Sequence, residues 1–577
     1  MHRFVGFLSI LLSLSPLVCV NARAQNLLAG SQWIFTTPSH DDAAMTAIPN
    51  GVRITTNNPV NPFWGIMIRQ SIPAAFPKGD RIKLLFTARS PEKCQIRALV
   101  ERNEAPYVAP VSQILTLTDQ WKQYVVMGVS TGFTSNELGA KFQAGFGKGV
   151  VELKDIRVED AGPDPAYVSA LAAIQPAAIQ ARIQKYRMGD LNVLVQDQNG
   201  KPVRDAEVKF EMTRHDFLFG CNFFLLDPSS NAPWQLEYRR KFAALFNYAT
   251  LPFYWGAFEW TQGKPNYPKL DAMANWCIAH GITPKGHPLV WHQVYPSWAP
   301  NDPDKAIPLL HQRVTDIVTH YRGIIHYWDV VNEANSAAGD SNGEGDWVKR
   351  DGPAKVVATA LGWARAAGKG ADETFLYNDF NTGEQNVELL KTLQKMHSLP
   401  DAIGIQSHMH AGNWPLQQVY EVANRFSQFG IPVHFTETTI LSGPFTRNEG
   451  GVTTPEGEKV QADYVVKFYT LLFSMPMLRA ITWWDFSDRG AWMNAPAGLL
   501  RKDMSSKPVY DRLMQLIHHT WWTDAQERTN GKGEAGVHAF YGRYTITVSD
   551  GKGHQVSQKV DFPEECGEKT FTINLRK

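Results

Sequence analysis

The chain has 577 residues, which is too many for one hydrophobic core, so we expect a multidomain protein. Lys and Arg (57) balance Asp and Glu (56), and the net charge of +1 gives no electrostatic basis for a nucleic acid or an anionic membrane as a partner. The 18 tryptophans suit flat ligands such as sugar rings, although tryptophan is also common in cores.

The first residues have the pattern of an export signal. His2 and Arg3 precede the apolar run FVGFLSILLSL, and an A-x-A cleavage site ends at Ala24. A membrane anchor would need a longer apolar stretch. We therefore predict a signal peptide over residues 1–24, a secreted or periplasmic protein, and no membrane association after cleavage.

Residues 25–160 have the pattern of an all-β domain. Short alternating stretches such as RIKLLFTA, QIRALVE and KQYVVMGV lie between turn-forming residues, which predicts a β-sandwich. The domain resembles the jelly-roll carbohydrate-binding modules that often accompany polysaccharide-degrading enzymes. Its candidate sugar-stacking residues are Trp33, Phe63, Trp64, Tyr107, Trp121 and Tyr124. Of these, Trp121 and Tyr124 are more typical of a strand core.

Two connecting segments follow. Residues 161–188 are rich in alanine with helical spacing and predict a helical connector. Residues 189–214 contain two alternating runs around QNGK, and the Asn-Gly turn predicts a β-hairpin that leads into the next domain.

Residues 215–525 predict a (β/α)8 TIM barrel. Eight short apolar runs alternate with amphipathic helical stretches: FLFGCN, ALFNYAT, ITPKGH, YWDVVNE, TFLYND, AIGIQSH, VHFTET and AITWWDF. Seven runs carry a polar residue at or near their ends, namely Asn222, His287, Glu333, Asp379, His408, Glu437 and Asp485. In such barrels the carboxyl ends of the strands form the active face.

The last segment, residues 526–577, predicts a small β unit. Its run FYGRYTITVSDGKGHQVSQKVDF has strand-like alternation and a glycine-containing turn. The segment is short for an independent domain, and the sequence assigns it no function.

Two carboxylates dominate the predicted site. Glu333 ends the fourth strand and Glu437 lies at the end of the seventh, and these strands face each other across a barrel mouth. A single glutamate at a strand end is usually a surface ion-pair partner. Two of them over one cavity, among aromatic and histidine residues, favour acid-base catalysis of glycoside hydrolysis.

Several segments in the same order resemble glycoside hydrolase family 10, the family of endo-β-1,4-xylanases. YWDVVNEA resembles the acid/base segment and VHFTETTI resembles the nucleophile segment. KGHPLVWHQVYPSW, ETFLYNDFN, GIQSHMH and ITWWDFSDRGAW resemble the third, fifth, sixth and eighth strand segments. The resemblance covers residues 215–520 and implies a retaining, two-glutamate double displacement on β-1,4-xylan or a related β-linked plant polysaccharide.

The resemblance also implies a role for each residue. Glu333 would be the general acid/base, with a raised pKa, and Glu437 the nucleophile. The substrate-binding set would be Asn332, His287, Trp291, Gln406, His408, Trp484 and Trp492. Within it, His408 would hold Glu437, Asn332 would reach the sugar 2-OH, Trp484 would form the floor of the cleft and Trp492 a wall. His292 is a structural residue or a support for Glu333.

One segment departs from the family pattern. The family has Glu-Asn-x-x-Lys-Trp after its second strand, where these residues grip the distal sugar, but this chain has TLPFYWGAFEW with Pro252 and Phe253 in place of Glu-Asn. Val294 also stands where the family often has Gln. Phe253, Tyr254 and Trp255 either stack on the substrate or pack under the barrel rim. The substrate is therefore xylan, a decorated or other β-linked glycan, or an aryl glycoside.

Two rival functions stay open. One is a barrel that binds glycans without cutting them. The other is a metal-dependent hydrolase, which His287, His292, His408 and His410 suggest, although no metal-binding spacing appears and the cysteines show no C-x-x-C motif. We predict no metal and no cofactor, a polysaccharide or oligosaccharide as the partner, and a monomer.

Overall fold

The structure is a computed structural model that describes residues 25–28, 30 and 32–575. The predicted signal peptide, residues 1–24, lies outside the described residues. The chain divides into two compact units, Met1–Leu171 and Ala172–Lys577. Within the described ranges, no helix combines the length and the apolar character that crossing a membrane would require.

The first unit is built from two five-stranded sheets, with strand orders β1-β4-β9-β6-β7 and β2-β3-β10-β5-β8. Alternate residues of strands from both sheets, such as Ile68, Phe142, Leu84 and Phe86, are buried in one hydrophobic core. This confirms the predicted strand-rich sandwich. The strands are β1 Ile34–Thr36, β2 Ala43–Ile48, β3 Gly51–Thr56, β4 Met67–Ser71, β5 Asp80–Arg89, β6 Gln95–Arg102, β7 Val111–Thr116, β8 Lys122–Val129, β9 Leu138–Gln143 and β10 Gly149–Pro163.

The second unit contains a closed barrel of eight parallel strands, which confirms the predicted TIM barrel. All eight predicted runs form its strands in the predicted order. They are β13 Leu218–Asn222, β14 Tyr248–Pro252, β15 Thr283–His287, β16 Tyr327–Asn332, β17 Thr374–Asp379, β18 Ala402–Ile405, β19 Val433–Thr438 and β22 Leu478–Trp483. A short hairpin, β20 Phe445–Thr446 and β21 Gly450–Gly451, lies between the last two.

Helices connect these strands. Two of them, α1 Pro165–Ala173 and α2 Pro176–Arg187, precede the barrel. The others are α3 Pro233–Leu245, α4 Trp255–Phe258, α5 Tyr267–Ala279, α6 Pro303–His320, α7 Gly343–Asp351, α8 Pro353–Ala367, α9 Glu384–Lys395, α10 Leu416–Ser427, α11 Pro455–Ser474 and α12 Pro508–Gln515. Proline at the first turn of many of them suits a position whose N–H has no partner within the helix.

A second β-sandwich, formed by seven strands, encloses the barrel in sequence. Its sheets have the orders β24-β11-β27 and β23-β12-β25-β26. Two strands precede the barrel, β11 Met188–Asp197 and β12 Glu207–His215. Five follow it, β23 Asp524–Arg528, β24 Glu534–Phe540, β25 Gly542–Ser549, β26 Gln555–Phe562 and β27 Glu568–Leu575. The C-terminal strands are therefore present as predicted, but they complete a sandwich that begins before the barrel.

The hairpin predicted for residues 189–214 is wrong. The Asn-Gly turn does form, with Asp197 N–H donating to Lys201 O at 2.8 Å and Val203 N–H to Val195 O at 3.0 Å. Beyond it the strands separate into different sheets, because each has one apolar face to bury. The strands lie in opposite layers of the sandwich, and later strands pair with both edges of each.

Candidate active site

The two glutamates open into one cavity of 360 Å³ at the carboxyl ends of the barrel strands. Glu437 lies in β19, whereas Glu333 directly follows β16. Glu333 has a φ of 58°, in the left-handed region that residues other than glycine seldom adopt. Its N–H still donates to Asn378 O at 2.9 Å, so the turn is tied to the neighbouring strand. Strain of this kind is common at functional sites.

Three side chains donate to the Glu333 carboxylate. Gln406 Nε2 and Asn332 Nδ2 lie 2.8 and 3.2 Å from Oε1, and Trp291 Nε1 lies 3.2 Å from Oε2. Burial raises the pKa of Glu333, and the charge of Glu437 raises it further, against the donors Gln406 and Trp291, which lower it. Glu333 is thus a carboxyl group that holds its proton to a higher pH than an exposed one.

Glu437 is held through both of its oxygens. Asn378 Nδ2 donates to Oε1 at 2.7 Å, and His408 Nε2 lies 3.0 Å from Oε2. The other ring nitrogen of His408 lies 2.8 Å from Thr439 Oγ1, which fixes the orientation of the imidazole. Glu437 is only 4 % exposed, so these contacts replace most of its solvation. Its orientation is fixed before any ligand binds.

Asn378 connects the two carboxylates and was missed by the sequence analysis. Its Nδ2 lies 2.8 Å from Asn332 Oδ1 as well as 2.7 Å from Glu437, and Asn332 in turn donates to Glu333. Thr436 Oγ1 donates to Asn378 Oδ1 at 2.6 Å and sets the orientation of that amide. The run TFLYND contains Asn378, but the polar residue predicted at the end of this run is Asp379.

The other predicted residues surround the same cavity. His287, Trp291, Asn332, His408, Trp484 and Trp492 line it, whereas Gln406 is buried behind Asn332 and Glu333. Trp484 is 5 % exposed, and its ring meets those of His287 and His408 edge-on. Trp492 is 45 % exposed, and its ring contacts that of His408. The roles of floor and wall stay predictions.

The aromatic segment after β14 divides between core and cavity. Phe253 is fully buried against Tyr321 and Trp328, and Trp255 packs beneath the rim. Only Tyr254 lines the cavity, with its ring edge-on to His287 and tilted against Trp291. Phe253 and Trp255 therefore pack under the rim, and this segment contains no replacement for the absent Glu-Asn-Lys set.

A buried ion pair supports the floor of the site. Lys285 Nζ lies 2.6 Å from Asp329 Oδ2, and the same oxygen lies 2.7 Å from His287 Nδ1. Burial by itself would raise the pKa of Asp329, but Lys285 and His287 outweigh it and lower that pKa. The ionised carboxylate therefore fixes the His287 ring, whose Nε2 lies 3.9 Å from Glu437 Oε1. Lys285 and Asp329 belong to quoted motifs, but no sequence signal pairs them.

The histidines predicted as alternatives do not gather around one point. His292 is buried, with Nε2 3.4 Å from Asp340, and no contact joins it to Glu333. His408 and His410 stack with ring centroids 5.5 Å apart, with His408 engaged by Thr439 and Glu437. In the part of the chain that the structure describes, no group of three or more His, Cys, Asp or Glu side chains is arranged to hold a metal ion. Among the described residues, Cys94, Cys221, Cys277 and Cys566 are free thiols.

Comparison with known proteins shows which family and which proteins this part of the chain resembles. Residues 230–516 match the family model for glycosyl hydrolase family 10. Endo-1,4-beta-xylanase B of Thermotoga neapolitana is 26 % identical over 278 residues, which are 46 % of this chain and 78 % of the relative. The anti-sigma-I factor RsgI6 of Acetivibrio thermocellus is 25 % identical over 382 residues, 64 % of this chain and 46 % of the relative. The crystal structure of xylanase 10B from Thermotoga petrophila with xylobiose aligns with a TM-score of 0.46 and 22 % identity, covering 53 % of this chain and 95 % of that one.

Proposed function

Since residues 230–516 match the family model for glycosyl hydrolase family 10, we propose that the protein is a retaining glycoside hydrolase that cleaves β-1,4-xylan or a related β-linked plant polysaccharide. The observation that carries the proposal is the unequal environment of two carboxyl groups in one cavity. Glu333 has a raised pKa, whereas both oxygens of Glu437 are held by neighbouring side chains. Such a pair supplies an acid and a nucleophile.

The proposed reaction has two displacements. Glu333 donates its proton to the glycosidic oxygen while Glu437 attacks the anomeric carbon, so the leaving sugar departs and a glycosyl ester forms on Glu437. Glu437 then carries no charge, and the repulsion that raised the pKa of Glu333 disappears. Glu333 can then take a proton from water, whose oxygen attacks the anomeric carbon and releases Glu437.

The neighbouring residues support specific roles in this reaction. We infer that Asn332, which bridges Glu333 and Asn378, turns its amide toward the sugar 2-OH when substrate binds. His287, Trp291 and Trp484 surround the reacting sugar, since all three line the cavity beside Glu437 or Glu333. The Lys285–Asp329 pair keeps His287 in place during the reaction.

The proposal of xylan as the substrate rests on the relatives. The proposal of a decorated glycan or an aryl glycoside rests on the cavity. The Thermotoga neapolitana relative is named an endo-1,4-beta-xylanase, which favours xylan. The distal segment has Pro252 and a buried Phe253 where the family grips its substrate, which favours a decorated glycan or an aryl glycoside. A glycan-binding barrel without activity is the third possibility that the experiment below separates.

We propose further that the first unit binds carbohydrate, with Trp64 and Tyr107 as its contact residues. Trp64 is 50 % exposed and Tyr107 64 % exposed, so both rings are accessible to a sugar, although Lys141 lies over one face of Tyr107 at 5.5 Å. Trp121 is covered by Arg89 and Lys154, and Tyr124 stacks on Phe86 within the domain. Export through the signal peptide and a monomeric state stay predictions, which culture fractionation and light scattering test.

The test is product release from a panel of xylans, other β-glycans and aryl β-glycosides. We expect short xylo-oligosaccharides from the wild type and no detectable products from Glu437→Ala. Glu333→Gln should lower kcat/KM on xylan by roughly 10²–10⁴-fold. It should lower kcat/KM much less on an aryl glycoside, whose leaving group needs no proton. Glu388→Gln, an exposed glutamate on α9, is the control and should match the wild type. Excess chelator should change nothing, and its inhibition of the enzyme would favour the metal-dependent alternative.

The outcomes separate the alternatives. Cleavage of another β-glycoside but not xylan would keep the chemistry and replace the substrate. Binding of glycans without any cleavage would identify a binding protein instead. Inversion at the anomeric carbon, seen by NMR of the first product, would contradict the double displacement.

A further inference from the structure

One positively charged side chain lines the cavity that holds Glu333 and Glu437. Arg489 follows β22 in the segment that leads to Trp492, and no other lysine or arginine is among the residues that line this cavity. The acidic side chains in the same lining are Glu333, Glu437 and Asp485. Arg489 is exposed at the edge of this cavity, where an anionic group of a ligand would be its ionic partner.

Protein groups do not supply that partner. Among the described residues, no carboxylate lies within ion-pair distance of Arg489. The nearest acidic residue in sequence, Asp488, is paired with Lys507, whose Nζ lies 2.7 Å from it. Asp485 accepts from the N–H of Trp492 at 3.0 Å. The charge of Arg489 is therefore not needed to neutralise a neighbouring acid.

The guanidinium of Arg489 is nevertheless held in place. Its central carbon lies 4.8 Å from the centroid of the Trp234 ring, a cation–π contact. Its Nε lies 3.3 Å from Lys502 O, and its own backbone N–H donates to Ser487 Oγ at 3.0 Å. Within the described part of the chain, no hydrogen bond engages the two terminal NH2 groups. These groups form the planar fork that binds a carboxylate through two parallel hydrogen bonds.

We propose that Arg489 binds the carboxylate of a uronic acid substituent on the glycan, so that the substrate class is an acid-substituted xylan. This inference rests on the proposed function. It also accounts for the segment after β14, where Pro252 and Phe253 replace the Glu-Asn pair of the family. The cavity lacks those polar contacts but has a charged one, Arg489, at another edge. A neutral glycan offers Arg489 no ionic partner, whereas a uronate offers one that is matched in charge and geometry.

The test compares glucuronoxylan with the same polysaccharide after chemical reduction of its uronic acids to neutral sugars. We expect the wild type to prefer the acidic form, and Arg489→Gln to lower kcat/KM by about tenfold or more on the acidic form but by much less on the reduced form. Arg489→Lys should fall between, because it keeps the charge and loses the fork. The matched control is Arg528→Gln, which replaces an exposed arginine in β23 of the second β-sandwich and should resemble the wild type.

A binding measurement keeps the inference separate from the proposed function. The probes are xylotriose and xylotriose bearing one glucuronic acid, titrated into the Glu333→Gln chain with and without Arg489→Gln. Preference for the acidic probe that disappears with Arg489→Gln supports the inference, even if the wild type cuts neither polysaccharide and the proposed function fails. Equal affinity for the two probes, or equal losses of kcat/KM on both polysaccharides, would overturn it.

Discussion

Asp485 is a third carboxyl group in the wall of the cavity, and its surroundings favour the neutral form. Burial raises its pKa to about 7, against the backbone N–H of Trp492 and the side chain of Asn222, which lower it. Its Oδ2 is buried and has no hydrogen-bonding partner among the described residues. A protonated Asp485 places no unsolvated charge on this oxygen. The folded chain therefore retains the proton at pH values well above the ordinary pKa of 3.8.

This shift predicts a fall in stability with rising pH. Between pH 3.8 and about 7 the folded chain holds a proton that the unfolded chain releases. The contribution of Asp485 to the free energy of unfolding therefore falls by up to about 4 kcal/mol through that window. Above the window it is constant. Asp485→Asn cannot ionise, so it should gain stability relative to the wild type as the pH rises. Urea unfolding of both chains at pH 4, 5.5, 7 and 8 measures the difference, and a constant difference across this range would contradict the prediction.

The residues of the site were predictable where a local motif carries them. Glu333, Glu437 and His408 each sit at the end of an apolar run, and the order of the runs aligned them with one family. Asn378 and Arg489 were not predictable, because their importance lies in contacts with residues on other strands or in the absence of a partner. The different positions of Phe253, which is buried, and Tyr254, which lines the cavity, were not predictable either. They depend on which side of the strand end faces the core.

At the scale of elements, Arg187 joins the end of α2 to three other segments. Its guanidinium donates to the carbonyls of Phe473 and Leu478 at 2.6 and 2.9 Å, and it lies 2.8 Å from Glu564. It is 3 % exposed, so these contacts satisfy a buried charge. One side chain thus joins α2 to helix α11, to strand β22 and to the second β-sandwich.

Loss of this side chain should be costly. Arg187→Met keeps an unbranched stem but removes the side-chain donor to Phe473 O. It leaves Leu478 O and Glu564 with Arg479 as their side-chain partner, at 3.0 and 3.2 Å. We expect a loss of about 3–5 kcal/mol in the free energy of unfolding, the range for breaking a buried ion pair from one side. Arg240→Met is the control, because Arg240 is exposed and pairs only with Glu237, so it should cost less than about 1 kcal/mol. Chemical denaturation of both variants measures this, and similar values for the two would refute a fastening role.

Elements were predictable where a pattern decides the structure locally. All eight barrel runs were found because each is apolar and ends near a polar residue, as a strand buried on both faces requires. The pairing of β11 and β12 was not predictable from their turn. An Asn-Gly turn specifies the tip, but the partners of each strand come from residues more than 300 positions later. Long-range pairing of this kind leaves no mark on the local sequence.

At the scale of the whole molecule, the barrel is an insertion in a β-sandwich. The chain leaves the sandwich after β12 and returns at β23, which pairs with β12 directly. His215 Nε2 lies 2.8 Å from Ile517 O, so the points of departure and return are joined. The buried residues of barrel and sandwich form one continuous core, while the first unit has a separate one. The C-terminal segment therefore belongs to the structure of the catalytic unit.

This arrangement predicts that the enzyme depends on its last residues. A chain ending at residue 529 lacks β24 to β27, so β11 loses both of its neighbours and β12 loses β25. The apolar faces of β11 and β12 then become exposed, at a cost of about 1.5–3 kcal/mol for each large side chain. We expect the unfolding midpoint of the barrel to fall by more than about 10 °C, or the chain to become insoluble. A chain lacking residues 1–171 loses a unit with its own core and should retain the midpoint of the barrel. Calorimetry on both truncations measures the contrast, and a chain ending at 529 that melts with the full-length protein would show that the C-terminal strands are an appendage.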